Sequence, residues 1–88
     1  MEREKILMSD NEFDVLDELY FVTSYSELKR NTDLKEGELL EVLESLIEKS
    51  WVRVYENMDD ELEEFDLHDN FQTYYYLASK KGLLAHNR

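Results

Sequence analysis

Any chemistry in this chain has to come from carboxylates, two imidazoles and a few hydroxyls. Its 88 residues contain 22 Asp and Glu, two His and no Cys. Without Cys there is no disulfide, no thiolate metal site and no cysteine nucleophile. The densest grouping of possible metal ligands is Glu64, Asp66, His68 and Asp69. Oxygen and imidazole donors suit a divalent cation, but close spacing within an acidic stretch is common and no EF-hand pattern is present. Paired carboxylates are abundant, yet they fall on solvated faces rather than in a cleft that would separate their pKa values. No glycine-rich phosphate loop exists, because Gly37 and Gly82 are the only glycines. The serines stand at helix starts, where capping accounts for them. No catalytic residue, metal ligand or cofactor is expected, and the chain does not read as an enzyme.

The stronger signal is where the charge lies. The net charge is −12 and the isoelectric point is near 4.4. The stretch Lys35–Lys49 holds Glu36, Glu38, Glu41, Glu44 and Glu48. Residues Glu56–Asp69 hold eight acids and no Lys or Arg. Lys80, Lys81 and Arg88 lie in a final stretch without a carboxylate. Such acidity speaks against nucleic acid, anionic membranes and acidic substrates as direct partners and favours a basic protein surface; solubility alone is the simpler alternative. Met1–Leu7 lacks the apolar core of a signal sequence, and no run approaches the roughly 20 apolar residues that span a bilayer. With no Cys, the cytoplasm is the expected compartment.

These groups are positioned by a single predicted domain, residues 1–88, of the α+β class and mainly α. The first helix, about 9–22, opens on a capping box, Ser9-Asp10-Asn11-Glu12, with Met8 and Phe13 at the staple positions. Phe13, Leu16, Leu19 and Tyr20 recur at helical spacing along it, while Asp10, Asp14 and Asp17 turn outward. A second box, Ser24 to Glu27, starts a short helix at about 25–31, and Asp33 is placed to cap the third helix. That third helix, about 36–49, carries Leu39, Leu40, Val42, Leu43, Leu46 and Ile47 at core spacing. Strands come next at about 51–56 and 71–77, rich in aromatic and β-branched residues. Ser79 caps a short helix at about 80–86, and His86 is expected to be exposed at its C-terminal end.

The order of helix, helix-turn-helix, long hairpin and terminal helix resembles the winged helix-turn-helix superfamily, in the style of the MarR and ArsR regulators. The residues that carry the likeness are Leu39-x-x-x-Leu43-x-x-Leu46-Ile47-x-x-Ser50-Trp51-Val52 and Tyr75-Tyr76-Leu77-Ala78-Ser79-Lys80-Lys81-Gly82. The resemblance implies three helices plus a two-stranded wing hairpin and a short C-terminal helix, with Lys35–Lys49 as recognition helix and Glu56–Asp69 as wing. It does not carry DNA reading onto the third helix, where Glu38, Glu41, Ser45 and Glu48 occupy the exposed positions. The long dimerisation helices that flank the MarR core have no counterpart expected here. Ser50 stands where such proteins commonly have a glycine, at a helix end that often needs a positive φ.

The residues support two readings. In the first, a small intracellular module binds a protein partner with a basic surface through Glu38, Glu41, Glu48, Asp59, Asp60, Glu63 and Glu64. Alternation sets Tyr74 and Tyr76 on one face of the second strand and Tyr75 and Leu77 on the other, with either face inward. Tyr74 and Tyr76 add apolar contact if theirs is the outer one, or the long wing folds back over them. Homodimer formation is a further use for exposed tyrosines. In the second, a transcription regulator binds DNA as a dimer, or with a basic co-subunit, through Lys29, Arg30, Lys35 and Arg53.

Overall fold

Ser9 opens the fold as its sequence requires. Its Oγ accepts the Glu12 N–H at 3.1 Å, and the Glu12 carboxylate accepts the Ser9 N–H at 2.9 Å. The computed structural model describes residues 8–87, which form an α+β fold of five helices and one antiparallel sheet of four strands. The Met1–Leu7 stretch, where no signal core is expected, and Arg88 lie outside the described residues. The first helix, α1 (Asp10–Asp17), ends well short of residue 22. The Thr23 hydroxyl bonds the Phe21 and Glu18 carbonyls at 2.7 and 3.3 Å, so a local side chain competes with continued helix. Thr23 and Ser24 then form a short edge strand, β1, that the sequence does not signal.

The second helix, α2 (Tyr25–Thr32), starts at Ser24, whose Oγ accepts the Glu27 N–H at 3.2 Å. Asp33 does not cap the third helix. It closes the second in the left-handed region, φ 61°, which Asp tolerates better than most residues. The third helix, α3 (Glu36–Glu48), begins at Lys35, whose N–H donates to the Glu38 carboxylate at 3.0 Å. Its inner stripe of Leu39, Val42, Leu43 and Leu46 is buried against Val15, Leu16, Leu19 and Leu28. Burying three leucines completely contributes on the order of 5–8 kcal/mol before entropy is set against it.

The expected two-stranded hairpin is instead part of a sheet with strand order β1-β4-β2-β3. Here β2 is Val52–Tyr55, β3 is Glu61–Leu62 and β4 is Tyr75–Ala78. The register pairs Val54 with Leu62 on one side and with Tyr76 on the other. Residues 71–74, expected in the second strand, are not part of it, because a one-turn helix, α4 (Leu67–Asn70), precedes them and Thr73 bonds back to the Asn70 carbonyl. The long β2–β4 connection is therefore ordered by its own strand and helical turn.

Two distant segments close the fold where they cross. Ser50 leaves α3 at φ 66°, and Trp51 leads into β2 at Val52. The Ser79 hydroxyl donates to the Ser50 carbonyl at 2.7 Å, and the Ser79 N–H donates to the Trp51 carbonyl at 2.8 Å. Ser79 Oγ also accepts the Gly82 N–H, capping the last helix, α5 (Lys80–His86). A Cβ on Gly82 would lie 2.2 Å from the Trp51 carbonyl oxygen, which no real contact allows. The hydroxyl three residues before a glycine is thus a device for bringing backbone against backbone.

This junction makes two opposite predictions for equilibrium urea unfolding. Gly82→Ala should cost at least about 2 kcal/mol, because backbone rather than a flexible side chain must move. Ser50→Gly should stabilise by about 0.5–1 kcal/mol, since relief of left-handed strain exceeds the entropy that glycine loses. A neutral Gly82→Ala would show that α5 does not depend on this close approach.

Candidate functional site

The outer face of α3 is anchored from behind by one carboxylate. Glu12 is 5% exposed, and its oxygens accept from Ser45 Oγ at 2.6 Å and from Lys49 Nζ at 2.9 and 3.0 Å. The Lys49 ammonium lies 4.6 Å from the centre of the Trp51 ring, a cation–π contact on the same side. Burial pushes the Glu12 carboxyl up. Hydrogen bonds from Ser45, Lys49 and the Ser9 backbone, with the Lys49 charge, outweigh it and hold the group below its ordinary value of 4.5. Ser45 and Lys49 lie one helical turn apart, so this network fixes both the rotation of α3 and its distance from α1.

With α3 fixed, its acids divide into two sets. Glu36 accepts from Gln72 Nε2 at 2.8 Å, and Glu44 contacts the His68 imidazole. The β2–β4 connection therefore lies along one flank of the helix, where Leu40, Ile47, Phe65 and Leu67 pack half-buried on the core. Glu38, Glu41 and Glu48 are exposed. At 100° per residue these three fall within an arc of roughly 80°, and their Cα atoms span about 15 Å along the axis. They form a row of carboxylates on a rigid helix.

The connection adds a second acidic group. Its tip, Glu56–Asp60, is tied by Asn57, whose Oδ1 accepts the Asp59 and Asp60 N–H groups at 2.8 and 3.0 Å. Asn57 Nδ2 donates to the Asp60 carboxylate at 2.9 Å. Asp59, Asp60, Glu63 and Glu64 are all exposed. All seven acids expected to meet a partner are thus at the surface, on two ordered elements.

The tyrosine expectation needs correction. Tyr76 does not face outward; it is fully buried, and its hydroxyl donates to the Phe71 carbonyl at 2.7 Å. Burial pushes that hydroxyl far above the usual tyrosine range. Tyr74 is half-buried: Phe65 packs edge-on at 6.0 Å, and the Asp66 N–H donates to its hydroxyl at 3.3 Å. The connection folds over Tyr74, so neither tyrosine offers a free apolar contact. Tyr76 and Ala78 share the face of β4 that packs on the leucines of the helices, and this packing settles the inward face that alternation in the sequence left open.

The basic residues also separate. Arg53 is held by Glu61 at 2.8 Å, a cross-strand pair that keeps its guanidinium protonated to higher pH. Lys29, Arg30 and Lys35 gather around the α2–α3 turn and make no ion pair among the described residues. His68 turns to Glu44 while Asp66 caps α4, and among the described residues no three His, Cys, Asp or Glu side chains are grouped to hold a metal ion. His86, expected at the surface, is covered instead: its side chain is only 6% exposed, under Phe13 and beside Tyr20. Residue spacing carries no sign of that contact, which joins residues more than 60 positions apart.

The Glu12 anchor generates a pH prediction. A carboxyl with a lowered folded pKa contributes stability that is present above its unfolded value and lost as pH falls through the folded one. Glu12→Gln should cost about 1–3 kcal/mol at pH 7. The gap between variant and wild type should shrink as pH falls below 4.5. A gap that stays constant in chemical unfolding from about pH 7 to about pH 3 would contradict a charged Glu12 as the anchor.

No helix among the described residues is long and apolar enough to cross a membrane. No family model, curated protein or solved structure matches the chain.

Proposed function

We propose that this chain is a small winged-helix module that binds a protein partner with a basic surface, using its third helix and wing. The observation that carries the proposal is the open row of Glu38, Glu41 and Glu48 on α3, with Asp59, Asp60, Glu63 and Glu64 exposed on the neighbouring connection. In a winged helix this is the surface that would meet DNA. Here it would set carboxylates against phosphates, with no counterions to release. The same row suits lysines and arginines spaced along a helix or an extended basic segment. Partners of that chemistry include a regulator's own subunit or the DNA-binding surface of another protein, which an acidic module would occupy.

Anchoring supports the reading as well as charge. The rotation of α3 is fixed from behind by Glu12, and Asn57 holds the tip of the connection, so the carboxylates are presented with little ordering left to lose on binding. The cluster of Lys29, Arg30 and Lys35 favours a second reading, direct DNA binding by an assembled dimer. Arg53 contributes less to that reading, because Glu61 already occupies it.

Affinity capture from native lysate separates the two. The wild-type chain should retain basic proteins at low salt and release them as salt rises. Reversing two exposed charges, Glu41→Lys with Glu48→Lys, should weaken capture by about tenfold or more while leaving the fold intact. Capture that survives both reversals would remove α3 from the interface. Salt-sensitive retardation of duplex DNA by the wild-type chain, lost on Lys29→Glu with Arg30→Glu, would move the function to the second reading.

A further inference from the structure

The exposed apolar residues are not scattered. Of the five large hydrophobics with substantial exposure among the described residues, Phe13, Tyr20, Phe21 and Leu84 lie on α1, its exit and α5, and Met58 lies elsewhere. Phe21 is 82% exposed and Leu84 63%. The patch has a built centre. The Phe13 ring stacks on His86 at 4.2 Å, Tyr20 meets the same imidazole edge-on at 5.7 Å, and the Tyr20 hydroxyl lies 3.1 Å from His86 Nδ1. His86 Nε2 is 3.5 Å from an Asp17 oxygen. Asn87 Nδ2 donates to the Tyr20 hydroxyl at 3.3 Å. The exposed rings of Phe13 and Tyr20 are thus held in one arrangement by the covered imidazole between them.

Charge around the patch is sorted by helix. On α1, Phe13 lies one turn from Asp10 and Asp17, with Asp14 beside it, and all three aspartates are exposed. On α5, Leu84 lies one turn from Lys80 and Lys81, both exposed, and 78–87 hold no carboxylate. One helix therefore presents an apolar residue rimmed by acids, and its neighbour an apolar residue rimmed by bases. A two-fold rotation brings such a face against itself with each helix meeting its opposite.

We infer that the α1–α5 face binds a second copy of this chain, with α1 of each protomer against α5 of its partner. A different partner would need to carry both charge signs in the same order, which this chain already does. Elsewhere the acidity repels a second copy, and here Lys80 and Lys81 reverse it locally. A stable interface needs about 800 Å² from each partner. That is about one seventh of the 5729 Å² surface of the chain, within reach of two helices and the Phe21 exit. This face shares no residue with the acidic row on α3, so either can act without the other.

Sedimentation velocity of the full chain, from about 10 μM to about 1 mM, tests it. The wild type should pass from monomer to dimer as concentration rises. Leu84→Asp and Phe21→Asp should each raise the dimer dissociation constant by about tenfold or more, with unchanged circular dichroism because both side chains are already exposed. Asp14→Lys and Lys81→Glu should each weaken the dimer, and the two together should recover much of the loss. A chain that stays monomeric throughout overturns the inference, even if this face captures some other protein. A dimer indifferent to Leu84→Asp and Phe21→Asp, or a double swap no better than either single change, overturns it equally.

Discussion

The structure depends on the crossing of two backbones at Ser50–Trp51 and Ser79–Gly82. Ser79 bonds both carbonyls of the first pair, and Gly82 leaves α5 room to lie against the Trp51 carbonyl. This crossing fixes where α3 ends, where β2 begins and how α5 returns toward α1. A left-handed Ser50 is the local cost, roughly 1–2 kcal/mol for an L-residue. Closure of the sheet and the α1–α5 contact offset that cost. The stretches 39–52 and 75–82, singled out separately in the sequence, are the two that meet here, in one physical contact.

From that junction the position of the acidic face is set. α3 is pinned at its C-terminal end by Ser50 and Trp51, and along its inner side by Glu12 through Ser45 and Lys49. Its remaining freedom is taken up by the connection, which reaches Glu36 and Glu44 through Gln72 and His68. Glu41 and Glu48 are left exposed, as is Glu38, one of whose oxygens caps the helix start at Lys35. Surface ion pairs such as the one between Arg53 and Glu61 add little stability, but they remove cations from the places where they could soften the acidic field. The net charge of −12 is therefore concentrated on presented surfaces rather than spread evenly.

Much of this was legible in the sequence, for reasons that can be named. Capping at Ser9, Ser24 and Ser79 and the leucine spacing of the third helix are local effects, and the structure has each of them. The burial of Leu39, Leu43 and Leu46 agrees with periodicity alone. What was not legible depends on distant partners. Two residues suffice for β1 because Tyr75 and Tyr76 stand ready to pair with them, and no propensity signals so short a strand. Tyr76 points inward because the helices pack on its face of β4, a fact of tertiary packing. His86 is covered because Phe13 and Tyr20 reach it from the other end of the chain. The exposed acids were read correctly as exposed, since charge at that density rarely goes anywhere else.

In the proposed function, the exposed carboxylates of α3 and the connection meet a basic protein surface. Nitrogen-15 NMR of the full chain, titrated in parallel with a Lys- and Arg-rich peptide and with duplex DNA, tests it most directly. The peptide should shift the amides of Glu38, Glu41, Glu48, Asp59, Glu63 and Glu64, with the effect fading at roughly 0.5 M salt, while DNA leaves the spectrum unchanged. Shifts produced by DNA and gathered around Lys29, Arg30 and Lys35, with the peptide leaving α3 untouched, would contradict it.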